Sequence, residues 1–488
     1  MLIASGILLC IFPLLIPSIE LAQYIWPARA TDIQFIDKQI SVLYLVNVFS
    51  VLLGILALIC AVLFNTLIRY YFYLIALIDK TDYKTWLYAV LGVGIFLRVL
   101  WIILIPTVPI SDPAEYLSLG VALAENFSYT SDYRAPGYPF FLAALEFLTG
   151  NAAFTGIIAN LLLNISVIYL SVTLLVQLTG STLAAKIASL FMVFFPDYIA
   201  SSAVHAVEPL FTALLFAGLL IITQKKCMQA KYCILVGFLF SVAAFVKPLF
   251  IASFVIPPLI MLIAQYKYKD IIRSSLIITI TMIFIITPWT IRNFNVMDEF
   301  VPIAPLAGTN LYMGNNPDAT GGYYHYDHSL VENIESGAKK DKILVKAAIE
   351  YIIDEPLKFI YMMPYKVYLT YYRDSSMIDW ALQKTQPQLS AKVKPVLTIL
   401  NEIFYHLILL LALVYVFFMI KRKTYMEPLF LTGIVVVSYL SAFPAVFMGI
   451  PRLHYPMIPI IFIYAALLIR STYLNQNNKL QLEKAQAS

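Results

Sequence analysis

Twelve stretches of almost unbroken apolar sequence leave this chain few ways to fold. They lie near residues 2–17, 40–68, 86–108, 152–178, 181–196, 206–223, 232–247, 249–265, 274–290, 397–420, 427–446 and 455–470. A stretch of about 20 such residues matches the hydrocarbon thickness of a bilayer and, as a helix, closes its own backbone hydrogen bonds. Several of the twelve are shorter, so tilted, broken or re-entrant segments are expected among them. Only 12% of the residues are charged and 61% are hydrophobic, against about 25% charged in soluble domains. One soluble core cannot hide that much apolar surface. The chain is therefore predicted to be an all-α polytopic membrane protein, a bundle of about 12 helices. No basic segment precedes the first run, which reads as a retained span. Cys10, Cys60, Cys227 and Cys233 lie in or beside the runs, and neither disulfides nor thiolate metal sites are expected.

Lysine and arginine set the orientation. One series of loops carries Arg69, Lys80 and Lys84, then Lys225, Lys226 and Lys231, then Lys267, Lys269 and Arg273, then Lys421, Arg422 and Lys423. The opposite short loops hold only Arg29, Lys38, Arg134, Lys247 and Arg452. By the positive-inside rule both termini are cytoplasmic, and the segments around Asp112 and 291–396 face outward. The first outward loop, 109–151, contains a surface helix from Pro113 to Glu125 and an apolar stretch from Tyr138 to Leu148 suited to the interface. The second, 291–396, is mixed in character. It opens with turn-rich sequence from Gly308 to Gly322 and continues with a helix over Lys339–Asp354 that stops before Pro356. Tyr361, Tyr365, Tyr368, Tyr371, Tyr372 and Trp380 suggest an aromatic belt at headgroup level.

Polar groups able to do chemistry crowd the outward side. Asp112 and Glu115 stand three residues apart where the third run leaves the membrane. Asp, Pro and Glu in that order also describe a capped helix start, with Asp112 as N-cap. His205 and Glu208 precede Pro209 and could share one helical face, to contact substrate or to support Asp112; as metal ligands they are only two. Glu208 could equally just open a helix. Lys247, isolated on the lysine-poor side, calls for a specific anion or for snorkelling to headgroups. Arg134, Arg292, Arg452 and His454 share that side and could bracket a phosphate. Arg98 and Lys186 fall inside apolar runs; Arg98 is expected to pair within the bundle and Lys186 to snorkel.

These motifs, in order, resemble those of the GT-C membrane glycosyltransferases, in the branch of the protein O-mannosyltransferases and the lipid A aminoarabinose transferase. The similarity runs from about Trp86 to Ile469. It comprises the first-loop acid with Tyr116-Leu117, then Arg134 followed by Pro136-Gly137-Tyr138-Pro139, Glu208 opening a helix, and Lys247-Pro248. Pro288-Trp289-Thr290-Ile291-Arg292-Asn293 follows, with Gly308-Thr309-Asn310-Leu311, Gly314-Asn315-Asn316-Pro317 and Pro451-Arg452-Leu453-His454-Tyr455-Pro456. Lysine stands before Pro248 where the family commonly has arginine, and Glu115 comes three positions after the first acid rather than beside it.

The resemblance implies a GT-C type transmembrane bundle with outer-face interfacial helices. Its organisation would be two added N-terminal helices (1–85), a core (86–290) carrying the catalytic loop, the large outer loop (291–396) and a C-terminal helical part (397–488). It further implies inverting transfer of a sugar from a polyprenyl-phosphate donor to an acceptor protein or glycolipid, outside a bacterial inner membrane. Asp112, Glu115 and Glu208 would be catalytic, Arg134, Lys247, Arg292, Arg452 and His454 would hold the donor phosphate, and Tyr116, Tyr138 and His205 would contact substrate. No cofactor is required in such a scheme, and a divalent metal is not favoured because no nucleoside diphosphate leaves. Two other classes compete: a lipid-linked oligosaccharide transporter or flippase, which usually shows related halves, and an O-antigen polymerase or ligase. No internal repeat is visible, and the early acid followed by Arg134–Pro139 fits the polymerases poorly.

Overall fold

The computed structural model describes residues 66, 68–326, 328–424 and 426–487, with side chains described to 478. They fall into two compact units, Met1–Thr81 and Asp82–Ser488. Of the first, residues 68–80 are helical. The apolar run at 2–17 and nearly all of that at 40–68 lie outside the described residues.

The named elements of the second unit are helices, and the ten remaining apolar runs each coincide with helical segments. In chain order they and their connections form α1 (Tyr83–Leu104), α2 (Ser111–Asn126), α3 (Gly137–Thr149), α4 (Ala152–Thr179), α5 (Thr182–Phe194), α6 (Pro196–Ala200), α7 (Val207–Ile222) and α8 (Ala230–Val246). There follow α9 (Ile256–Ile263), α10 (Tyr268–Met297), α11 (Ala307–Gly314), α12 (Gly337–Asp354), α13 (Pro356–Tyr371), α14 (Ser376–Gln383), α15 (Val393–Lys421), α16 (Pro428–Val446) and α17 (Ile458–Ala487). The only β pairing among the described residues is the isolated bridge between Thr107 and Thr385.

Among the described residues six helices are long and apolar enough to cross a membrane, or seven if α5 and the segment after it count as one broken span. The chain is an all-α polytopic membrane bundle. The 22 residues of α1 would reach about 33 Å at 1.5 Å per residue, close to the bilayer core. The shorter runs become α7, α8 and the Pro248–Ile263 segment, none long enough alone. At Phe195-Pro196 the axis turns by 61°. The ring of Pro196 carries no N–H to continue the ladder, so a new helix starts there.

Local sequence sets the helix ends. Asp82 Oδ2 accepts the Thr85 N–H at 2.9 Å and starts α1. Gly150, at φ 67°, closes α3 in the left-handed conformation, and Asn151 at once caps α4 by accepting from Phe154 N–H at 3.0 Å. Ser181 caps α5 in the same way. The bundle then packs α4 on α7, α7 on α8, α8 on α10, and α15 on α17.

Four expectations change. The sequence between Gly308 and Gly314 is not a turn but the two-turn α11, which packs on α12. Lys186 does not snorkel; it is 2% exposed, because α5 is covered by both α4 and α17. Trp380 and Tyr371 are partly buried, unlike the exposed Tyr361, Tyr365, Tyr368 and Tyr372 on and just after α13. Arg98 is fully buried, but the expected pairing across the bundle is not seen: it donates to Gly94 O one turn back on its own helix at 3.1 Å, and its Nε and Nη2 have no hydrogen-bond partner among the described residues. Cys227 and Cys233 are buried free thiols.

Candidate active site

Ile110 and Ser111 lead the chain from α1 into α2. Ser111 adopts φ 51°, a left-handed conformation costing a non-glycine residue about 1–2 kcal/mol. The turn brings Asp112 into the first turn of α2, where the helix dipole favours a negative charge. Asp112 is not the N-cap: that position is Ile110, with no side-chain cap bond. Its carboxylate is engaged elsewhere. Oδ1 accepts from Arg134 Nη2 at 2.7 Å and Oδ2 from Arg452 Nη1 at 2.5 Å. The same Arg134 nitrogen reaches Glu115 Oε2 at 2.6 Å. Asp112 is closed over by these guanidiniums, while the Glu115 side chain is 42% exposed.

Each arginine is held from behind. Ser131 Oγ accepts from the backbone N–H of Arg134 at 2.8 Å, forming a tight turn, and Tyr129 Oη donates to Arg134 O at 2.9 Å. The Arg134 guanidinium lies over the rings of Tyr116 and Tyr133, at 5.5 and 5.3 Å from their centroids. Arg452, in the 3-10 turn that leads into α17, lies 5.2 Å over Trp380. This contact is what draws Trp380 inward. Burial alone would raise the Asp112 carboxyl, but Arg452 and Arg134 outweigh it and hold it below the ordinary carboxylate range. Burial, reinforced by Asp112, pushes the Tyr116 phenol well up.

A second ion pair sits beside the first. Lys247 Nζ is 3.0 Å from Glu208 Oε1, and both side chains are buried. The isolated cation thus meets an internal carboxylate rather than headgroups, and Arg452 feels both Asp112 and Glu208. Gly137 explains how the pairs come together. A Cβ there would stand 2.5 Å from the Phe245 carbonyl carbon, so only glycine lets α3 start against the end of α8, two residues before Lys247. Tyr138 follows, edge-on to Tyr116 at 5.6 Å and bonded through its hydroxyl to Asn160 at 3.2 Å.

Arg292, His454 and His205 meet other partners. Arg292 donates to Tyr129 O at 2.6 Å and lies 4.9 Å over Trp289. It thereby grips the loop whose Tyr129 hydroxyl holds Arg134. The neighbouring motif residues staple α10 to the segment after it: Trp289 Nε1 and Asn293 Nδ2 both donate to Ile303 O, and Thr290 Oγ1 donates to Pro302 O. His454 is fully buried; its Nδ1 donates to Thr370 O at 2.6 Å, and Nε2 lies 3.4 Å from Asp374 Oδ2. His205, also buried, donates from Nε2 to Ala153 O at 3.0 Å.

Sequence reasoning passed over three groups. Tyr133 carried no motif signal beyond adjacency to Arg134. Asp197, from α6, caps the start of α14 by accepting from the Met377 and Ile378 N–H groups at 3.0 and 3.1 Å. Lys366, wholly buried on α13, donates to Asn315 Oδ1 at 2.7 Å, and burial lowers its pKa to about 8. Among the described residues no three His, Cys, Asp or Glu side chains converge as metal ligands.

No protein-family model matches this chain, and no curated protein matches it. Among solved structures, one that matches is the oligosaccharyltransferase of Archaeoglobus fulgidus, determined with an acceptor peptide containing the NVT sequon tethered through a disulfide bond. It is 15% identical, with a TM-score of 0.46 over 83% of this chain and 51% of that one. The chain therefore spans about half the length of that structure.

Proposed function

We propose that this protein is an inverting membrane glycosyltransferase of the GT-C type, moving a sugar from a polyprenyl-phosphate donor to an acceptor. The reaction would run on the outer side of a bacterial inner membrane, with both termini cytoplasmic. The observation that carries the proposal is the Asp112 carboxylate held between Arg134 and Arg452, at the end of the bundle where a long apolar groove also opens. That groove, about 640 Å³, is lined by Ile251, Phe254, Met282, Ile283, Ile286 and Phe294 among others, and includes Thr290 and Ile291 beside Arg292. Such a lining suits an isoprenoid tail whose phosphate emerges near the arginines.

In this mechanism the acceptor oxygen attacks the anomeric carbon as the bond to the phosphate oxygen breaks. The electron pair leaves with the lipid phosphate, and the acceptor proton passes to a carboxylate. Arg134 and Arg452 stabilise the charge that grows on the phosphate, the term that usually dominates such catalysis. Donor phosphate competes with Asp112 for the same guanidiniums. As it draws them off, Asp112 loses the charges that hold its pKa down and becomes basic enough to take a proton. Glu115 remains on Arg134 to orient it, Glu208 and Lys247 form the adjoining wall, and Tyr116 lines the sugar side with the fully buried Tyr138 packed behind it. Arg292 acts by holding the Tyr129–Arg134 loop. The scheme needs no cofactor.

Mass spectrometry of envelope glycans from a strain lacking the gene tests this. One missing sugar, restored by the wild-type gene and not by Asp112→Asn, is the expected result; an unchanged glycan profile would remove the assignment. Transfer by the purified protein is expected to survive EDTA.

A further inference from the structure

A second cavity opens next to this site, and its lining has a different chemistry. About 500 Å³ in volume, it is lined by Tyr133, Tyr323, Tyr324, Tyr326, Thr309 and Lys340, by His325, His328 and Glu332, and by the apolar Pro305, Met313, Val331 and Leu344. That volume falls within the roughly 300–1,000 Å³ of small-molecule sites. Tyr323, 60% exposed, offers a flat face, negative at the centre, to the slightly positive C–H groups of a pyranose, while Tyr326 is 8% exposed and Tyr133 already carries the Arg134 guanidinium 5.3 Å over its ring. The hydroxyls, imidazoles, lysine and glutamate alternate donors and acceptors around the cavity, as a polyol requires.

The cavity is joined to the candidate active site through one residue. Tyr133 lines it, and the next residue, Arg134, holds Asp112. Burial raises the Tyr133 phenol, and the charges acting on it include Asp112 and Arg452 as well as the Tyr326 ring on the cavity side. The walls are preorganised. Gly337 N–H donates to Asp132 Oδ2 at 2.9 Å, tying α12 to the first loop, and Tyr324 Oη donates to Asn316 Oδ1 at 2.6 Å. Tyr326 is edge-on to Tyr312 at 5.4 Å.

We infer that this cavity binds the saccharide portion of the acceptor, so that the acceptor is a glycan presented over Tyr133 toward Asp112. The inference rests on the transferase reading and names its substrate class. A lipid tail suits the cavity poorly, given its hydroxyls and imidazoles, and the apolar groove along α10 already provides for one. A peptide is the competing occupant, and the experiment below separates the two.

Photo-crosslinking in the producing cells tests the inference with the full-length protein. p-Benzoylphenylalanine replaces Tyr323, which is 60% exposed on the cavity rim, or, as a control, Tyr361, which is 80% exposed on α13 and does not line the cavity. A periodate-sensitive saccharide adduct at 323 and none at 361 is expected. A peptide adduct at 323, or none, overturns the inference. Once the acceptor is isolated, Tyr323→Ala and Lys340→Ala should each raise its KM about tenfold while leaving the donor KM unchanged; unchanged acceptor KM in both also overturns it. The two readings fail separately. A glycan adduct without any sugar transfer removes the transferase assignment, whereas transfer with a peptide adduct removes only the glycan cavity.

Discussion

Arg452 and Asp112 are 340 residues apart in sequence, yet their side chains meet at 2.5 Å. The contact joins α2 to the 3-10 turn that leads into α17. It also leaves neither Asp112 oxygen free, since Arg134 occupies the other.

Replacing Asp112 by Asn should separate binding from turnover. The variant keeps the shape but frees two guanidiniums, so donor affinity should hold or improve while transfer falls by at least about 100-fold. Glu115→Gln, at a more exposed carboxylate, should lose less than about tenfold. Donor titration and single-turnover transfer by purified protein measure both; wild-type turnover in Asp112→Asn would remove its role.

The Lys247–Glu208 pair is buried, so breaking it from one side strands a charge. Lys247→Met or Glu208→Gln alone should destabilise by about 3–5 kcal/mol, and the double variant by clearly less than their sum. Thermal unfolding of the three proteins in one detergent decides it; additive losses would show that the two do not interact.

Arg292→Ala should weaken donor binding about tenfold, because the Tyr129 carbonyl then loses the charged donor that fixes the Arg134 loop. Arg292→Lys should recover part of the loss. An apparent donor affinity equal to wild type in Arg292→Ala would mean that this grip does not matter to the phosphate.

Asp341, on α12, predicts a pH effect on stability. Burial raises its pKa to about 6, despite the Gly308 and Thr309 N–H groups that favour the charged form. A carboxyl raised on folding stabilises the protein when protonated. That contribution is present at low pH and is lost as pH climbs from about 4 through 6. Asp341→Asn should therefore be more stable than wild type at pH 7.5, by roughly 1–3 kcal/mol, with the gain shrinking at pH 5. Unfolding midpoints at the two pH values test the sign.

Hydropathy made the helices legible because a bilayer selects long apolar segments one at a time, so each of the ten described runs could be read locally. The charged motifs were legible as a set for a similar reason: they sit where those runs end. Their pairing was not. Asp112, Pro113 and Glu115 carry the local pattern of a helix cap, and only the arrival of Arg134 and Arg452 turns the carboxylate away from the backbone. Lys247 looked isolated because its partner, Glu208, lies on the preceding span. His454 is two residues from Arg452 in sequence, but the 3-10 turn sends it toward Asp374 instead. Lys186 was misread since hydropathy carries no information on which helices will cover a side chain.

The glycine at 137 acts as a ruler. With no room for even one methyl group against the Phe245 carbonyl, it fixes how far the loop bearing Arg134 stands from the helix end bearing Lys247. That close approach sets the Asp112–Arg134 contact and the Lys247–Glu208 pair side by side at a fixed spacing.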